Sequence, residues 1–180
     1  MSYYFVVVAD ASRARFFELQ STDMPELESG PTLVEQTSLS NPETGKSEGE
    51  VFTDTKSGSN RVNAAANPHA YDDHRERHME EFERRFAREV GKEAVSRAGR
   101  LDTRRLVLVA DQRMLNYLQR EVSSFKNGKR DLVEYARDLT KLAPDEIHRH
   151  LAKDGLIPEK KRPSGGPSNV HHPDRCWYRW

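Results

Sequence analysis

Apolar and polar positions along this chain follow two periods, one of strands and one of helices. Leu106-Val107-Leu108-Val109-Ala110 is an apolar run without a polar break. Its length and β-branched content predict a strand buried on both faces, as in a parallel sheet covered by helices. Asp111 follows, and Met114, Leu115, Leu118 and Val122 then recur at helical spacing. Strand, acidic turn and amphipathic helix make half of a βαβ unit. The chain opens on a partial echo, Phe5-Val6-Val7-Val8-Ala9-Asp10. Two strands that each end in Ala-Asp predict the centre of a sheet.

Around that centre, residues 14–19 predict a second strand antiparallel to the first; a helix competes, because Ala, Arg, Glu and Leu favour helix. Residues 32–39 have strand character and complete a meander. Residues 41–68 are rich in Gly, Ser, Asn, Thr and Asp, and only Val51, Phe52 and Val62 could reach a core. So long a stretch without periodicity predicts a mobile loop over about 41–70. A long helix is expected over about 71–98, with Met79, Phe82, Phe86, Val90, Ala94 and Ala98 on one stripe. Gly91 in that stripe suits close packing on the sheet, and Gly99 suits the residue just past a helix end. Of its i,i+4 charge pairs, Glu81–Arg85 and Glu93–Arg97 attract while Arg84–Arg88 and Glu89–Glu93 repel. After a helix at about 112–125, residues 132–136 predict a fifth strand, with a short helix as the alternative. Pro144-Asp145-Glu146 opens a last helix, with proline in the first turn and acids at the positive end of its dipole.

The order βββαβαβα predicts an α/β fold: a mixed five-stranded sheet flanked by helices, of ribonuclease-H-like or translational-machinery-component type. It fills one domain over 1–157. Residues 158–180 read as a Pro/Gly-rich linker and an aromatic tail closing on Cys176-Trp177-Tyr178-Arg179-Trp180.

Composition narrows the setting. The 180 residues are 35% hydrophobic and 32% charged, with a formal net charge of zero, and mean hydropathy is −0.89. A neutral chain has no global field to attract nucleic acid or an anionic membrane, so either partner would need a local patch. A single cysteine rules out an intrachain disulfide framework and fits a reducing compartment. The apolar run at 3–9 is too short for a signal peptide and lacks a basic flank. A soluble, cytoplasmic protein without a membrane partner is expected.

Several segments together resemble one family. They are residues 6–17 (Val6-Val7-Val8-Ala9-Asp10-Ala11-Ser12-Arg13-Ala14-Arg15-Phe16-Phe17), Phe82 with Phe86-Ala87-Arg88-Glu89-Val90, the run 106–110 with Leu115, and Arg137-Asp138-Leu139-Thr140-Lys141-Leu142 followed by Glu146, Ile147 and Leu151. This is similar to the bacterial host attachment protein family, grouped with bacterial relatives of the middle domain of peptide-release factors and the ribosome-rescue protein Pelota. The resemblance covers about residues 3–152. Asp111 and Asn116 depart from it, where relatives commonly carry proline and glycine. The kinship implies an RNA or ribosome partner; separately, no small-molecule cofactor is expected. It does not imply peptide release, which in that wider group uses Gly-Gly-Gln; here Gly165-Gly166 is followed by Pro167.

Three constellations could carry chemistry. Asp10, Asp111 and Asp138 follow predicted strands, and Glu80 or Glu83 lies on the long helix. Carboxylates so distributed could clamp two Mg²⁺ ions, as in a ribonuclease-H-like metal-dependent nuclease. The plain alternative is that Asp after a strand turns the chain or caps the next helix. His74 and His78 share a helix face at a spacing that suits zinc, but a third ligand would have to be Asp73 or His69. His171, His172 and Cys176 form a looser cluster in the tail. Basic residues are the third case. Arg13 and Arg15 flank the first turn; Arg100, Arg104 and Arg105 lead into the central strand; Lys126, Lys129 and Arg130 lead into the fifth. Converging, they would bind phosphates; dispersed, they are a solvated, ion-paired surface. Arg13, Arg15, Arg104 and Arg105 are the expected RNA-binding set. There is no nucleophile elbow, P-loop or dinucleotide fingerprint. The expected function is therefore a non-catalytic binding protein for RNA or the translation machinery. A metal-dependent nuclease is the first alternative, and an interaction factor in attachment to host cells the second.

Overall fold

The computed structural model describes residues 3–44, 68–126 and 129–163, with side chains in the long helix described from residue 77 onward. Val51, Phe52, Val62 and most of the loop expected over 41–70 lie outside the described residues. So do the tail cluster of His171, His172 and Cys176 and the side chains of His69, Asp73 and His74.

Three strands open the fold: β1 (Tyr4–Ala9), β2 (Arg13–Gln20) and β3 (Thr32–Ser40). Then come α1 (Pro68–Arg100), β4 (Arg105–Ala110), α2 (Gln112–Val122), a short 3₁₀ turn at Ser123–Phe125, β5 (Asp131–Ala136) and α3 (Pro144–Lys153). The five strands form one sheet in the order β3-β2-β1-β4-β5. β1 pairs antiparallel with β2 and parallel with β4, and β4 pairs parallel with β5. The expected βββαβαβα architecture holds, and both contested segments are strands. Their apolar alternation decided the outcome over helix propensity, because Phe16, Phe17 and Leu19 have neighbouring strands to pack with.

Alternation along each central strand divides the core. Phe5, Val7 and Ala9 of β1 and Leu106, Leu108 and Ala110 of β4 face α1 and α2. Val6, Val8, Val107 and Val109 face the other way, onto Ile147 and Leu151 of α3. β1 and β4 are in register, Phe5 opposite Leu106 and Val7 opposite Leu108. This accounts for their lack of polar residues: neither face meets water. Fully burying each such side chain contributes about 1.5–3 kcal/mol.

The long helix differs from expectation in two details. Gly91 does allow a close approach, but to α2 rather than to the sheet: an added Cβ would stand 2.5 Å from the Glu121 Cβ. Gly99 is not the residue past the helix end. Asp102 takes that position at φ 48°, with Thr103 N–H donating to Ala98 O and Asp102 N–H to Gly99 O. That is a Schellman ending, and aspartate is among the few non-glycine residues that tolerate the left-handed region. Both arginines of the predicted Arg84–Arg88 repulsion find acids, and Glu83 pairs across to α2. Arg84 pairs with Glu80 at 3.0 Å, Arg88 with Glu121 at 3.7 Å and Glu83 with Arg113 at 3.1 Å, while Glu81 holds Arg85 and Glu93 holds Arg97 as expected. At the top of the stripe Met79 is exposed, and burial begins at Phe86.

The chain after α3 is seated rather than loose as far as Lys161. Leu156 N–H donates to Leu151 O, Ile157 is buried, and Lys161 exchanges two backbone hydrogen bonds with Gly30. Among the described residues no helix is long and apolar enough to cross a membrane.

Candidate functional site

Because β1 and β4 are parallel neighbours, Asp10 and Asp111 emerge on the same rim of the sheet, and Asp138 follows β5 there. Ligands of open α/β sheets commonly bind at this rim. Here it is closed by internal bonds. Asp10 Oδ1 accepts from Ser12 N–H at 2.7 Å, Ser12 Oγ at 2.6 Å and Arg13 N–H at 2.8 Å, which turns β1 into β2. The buried Thr140 hydroxyl lies 2.8 Å from Asp10 Oδ2 and 2.7 Å from Asp138 Oδ1, so one hydrogen is shared between two carboxylates. Burial pushes the Asp10 carboxyl up, but hydrogen bonds from the Ser12 and Thr140 side chains and the Ser12 and Arg13 backbone outweigh it and hold the group below its usual range. Asp111 caps α2, accepting from Met114 N–H at 2.9 Å.

The first-turn arginines belong to the same closure. Arg15 Nε and Nη2 form a fork on Glu35 at 3.1 and 2.6 Å, and Nη1 donates to Thr140 O and Leu142 O at 3.0 and 2.7 Å. Its guanidinium also lies 4.9 Å from the Phe17 ring. Arg13 donates to the same Thr140 carbonyl. The β1–β2 turn and the β5–α3 loop are thus bolted together by two guanidinium groups, a hydroxyl and two carboxylates.

The remaining acids do not join them. Glu80 accepts from Arg84 at 3.0 Å and from Tyr117 OH at 3.1 Å. Among the described residues, no group of three or more His, Cys, Asp or Glu is placed to hold a metal. His78 lies on the exposed part of α1, its ring 6.4 Å from that of Phe82.

Nor do the four expected RNA-binding arginines converge. Arg105 begins β4 opposite Tyr4, at the end of the sheet away from Arg13. The strand between the two rims is about 16 Å long at the usual rise per residue. Arg105 is ion-paired with Asp131 at 3.1 Å and lies over Tyr4, while the exposed Arg104 lies over Tyr3. Arg100 is 4.0 Å from Glu93, Arg130 is 3.5 Å from Asp102, and Lys126 and Lys129 are exposed.

A basic site that the sequence reading did not single out lies on α3. Helical spacing turns Ile147 and Leu151 onto the sheet and brings His148 into the seam with the following segment. His148 Nε2 is 2.8 Å from Pro158 O; a carbonyl only accepts, so Nε2 carries the hydrogen. Nδ1 is then buried without a partner. This histidine floors a cleft of about 550 Å³ that is also lined by Asp145, Arg149, Lys153, Glu159 and Lys160. Lys160 donates to Asp145 at 3.0 Å and draws that carboxyl below its usual range. Arg149 and Lys153 are exposed and one helical turn apart; neither closes an ion pair among the described residues, although the field of Arg149 reaches Asp145 and helps to draw that carboxyl down. The available signals were the i,i+4 spacing of Arg149 and Lys153 and the run Lys160-Lys161-Arg162.

The family described as "Protein required for attachment to host cells" matches over residues 5–151. No curated protein matches the chain. Among solved structures, the crystal structure of the archaeal translation termination factor aRF1 is similar at a TM-score of 0.39 and 13% identity, covering 84% of this chain and 38% of that one. This chain therefore spans well under half the length of that protein.

Proposed function

Because this chain belongs to the family of proteins required for attachment to host cells, we propose that it serves that process as a cytoplasmic, non-catalytic binding protein whose ligand is RNA, free or within the translation machinery. The observation that carries the RNA reading is the pair Arg149 and Lys153: two exposed cations one helical turn apart on the α3 cleft, outside any ion pair among the described residues. Binding of a polyanion gains most from cations not already neutralised, because it is the release of counterions from the phosphates that drives it. Arg13, Arg15 and Arg105 are already engaged with carboxylates or carbonyls. The binding reading is favoured over a nuclease by the same bookkeeping: Asp10, Asp111, Asp138 and Glu80 each serve a turn, a cap or an ion pair.

The test is anisotropy of a labelled single-stranded RNA oligonucleotide titrated with the full-length protein across a salt series. Each phosphate contact contributes roughly 0.7 to the slope of log affinity against log salt for single strands. The double variant Arg149→Ala/Lys153→Ala is expected to lower that slope by about 1.4, while Arg13→Ala leaves it unchanged. An unchanged slope in the double variant, or no RNA binding by the parent, overturns the reading. Mg²⁺-dependent loss of the RNA that Asp10→Asn abolishes would establish the nuclease instead.

A further inference from the structure

On the other side of the segment that follows α3, Lys161 lines a second and larger groove of about 770 Å³. Its apolar lining is Tyr3, Tyr4, Leu19, Pro25, Pro31 and Pro158. Of the four exposed large hydrophobics among the described residues, Tyr3 at 51% exposure lines the groove, and Met24 and Leu27 belong to the turn that carries its Pro25. Its acids are Glu18, Asp23 and Glu159. We propose that this groove is the docking site of the chain's own aromatic tail, residues 174–180, with Trp177, Tyr178 and Trp180 covering the tyrosine and proline surface and Arg175 and Arg179 meeting the three acids.

The route of the chain supports that occupant over a foreign one. Lys161 is tied to Gly30 by two backbone hydrogen bonds, and both residues line the groove. The tail therefore leaves from the groove wall itself. Only the stretch 163–176, containing Ser-Gly-Gly-Pro-Ser, separates that wall from the aromatic residues. A linker of that length and Gly/Ser content has a root-mean-square span of roughly 20 Å. An intramolecular partner on such a tether acts at an effective concentration near millimolar, so a modest contact is enough to keep it bound. Charge is complementary as well, with the acids on the groove and two arginines interleaved with the tail's aromatics.

The sequence supplies its own reporters, because both tryptophans and the single cysteine of the chain lie at 176–180. In the full-length protein, tryptophan emission is expected to be blue-shifted and shielded from acrylamide relative to the same chain in denaturant. The substitutions Tyr3→Ala and Asp23→Lys, made together, are expected to move it most of the way to the denatured value. Ser21→Cys, in the groove, is expected to form an intrachain disulfide with Cys176 under mild oxidation several-fold faster than Ser40→Cys, which lies at the far rim of the sheet. Native emission equal to that of the denatured chain, or equal crosslinking at the two positions, overturns the proposal. Crosslinks found only between two chains would assign the groove to the tail of a second copy and overturn the intrachain docking.

Discussion

At the C-terminal rim of the sheet, Arg15 places its three nitrogens on Glu35 and on two carbonyls; at the α3 cleft, exposed Arg149 closes no ion pair and reaches Asp145 only through its field. Both residues looked alike in the sequence, and they do opposite work. A guanidinium saturated by groups of its own chain is a bolt: it orders the β1–β2 turn against the β5–α3 loop and has nothing left for a ligand. An exposed cation outside any close ion pair contributes little to folding and keeps its donors for a partner. The difference predicts which substitutions unfold the protein and which only disarm it.

The largest effect is expected from Arg15→Ala. It leaves Glu35 and the carbonyls of Thr140 and Leu142 without their donor. Because Glu35 is partly solvated, the loss falls below that of a fully buried pair, at about 2–3 kcal/mol. In a fold of this size each kcal/mol lowers Tm by roughly 2–4 °C, so a thermal melt should fall by about 5–10 °C. RNA affinity measured well below the melt should be unchanged. A melt within a degree of the parent would break the comparison at its strong end.

Thr140→Val keeps the shape and removes the hydroxyl that two carboxylates share. A cost of about 1–2 kcal/mol is expected from their lost hydrogen bond, read as a lower urea midpoint. The pH dependence of Asp10 sharpens the same end. Its folded pKa lies below the ordinary 3.8, so on acidification the unfolded chain takes up the proton first. The stabilisation is fully present above about 3.8 and disappears as pH falls through the lower folded value. Urea midpoints between pH 6 and pH 3 should therefore drop less for Asp10→Asn than for the parent. The smallest effect on stability belongs to Arg149→Ala, within about 0.5 kcal/mol of the parent as for other exposed positions away from special contacts. A large destabilisation there would show the cleft to be a second bolt.

The sheet was legible because it depends on local pattern. The unbroken apolar runs at 106–110 and 5–9 have only one economical burial, between layers of helices, and that placed Asp10 and Asp111 on a common rim. The asparagine-like behaviour of Asp102 and the packing target of Gly91 were not legible, since each depends on where a neighbouring segment lies. The same holds for the site. That Arg13 and Arg15 are special could be read from their resemblance to a family pattern. That they are consumed by Glu35 and the 140–142 carbonyls could not, because those partners lie 20 to 127 residues away. Arg149 and Lys153 were passed over for the converse reason: whether a cation closes an ion pair is a property of space, and no spacing along the chain encodes it.

The Asp10–Thr140 contact spans 130 residues, and this bears on how the protein is made. A chain synthesised from its N-terminus can pair β1 with β2 early, yet Phe5, Phe16 and the valines between them then wait for β4 to cover them. Folds dominated by such distant pairings form slowly and leave apolar surface open meanwhile. The polar end of the hairpin is closed last, when residues 138–142 arrive, so any nascent product halted before them carries an unfinished sheet with Arg15 held by Glu35 alone.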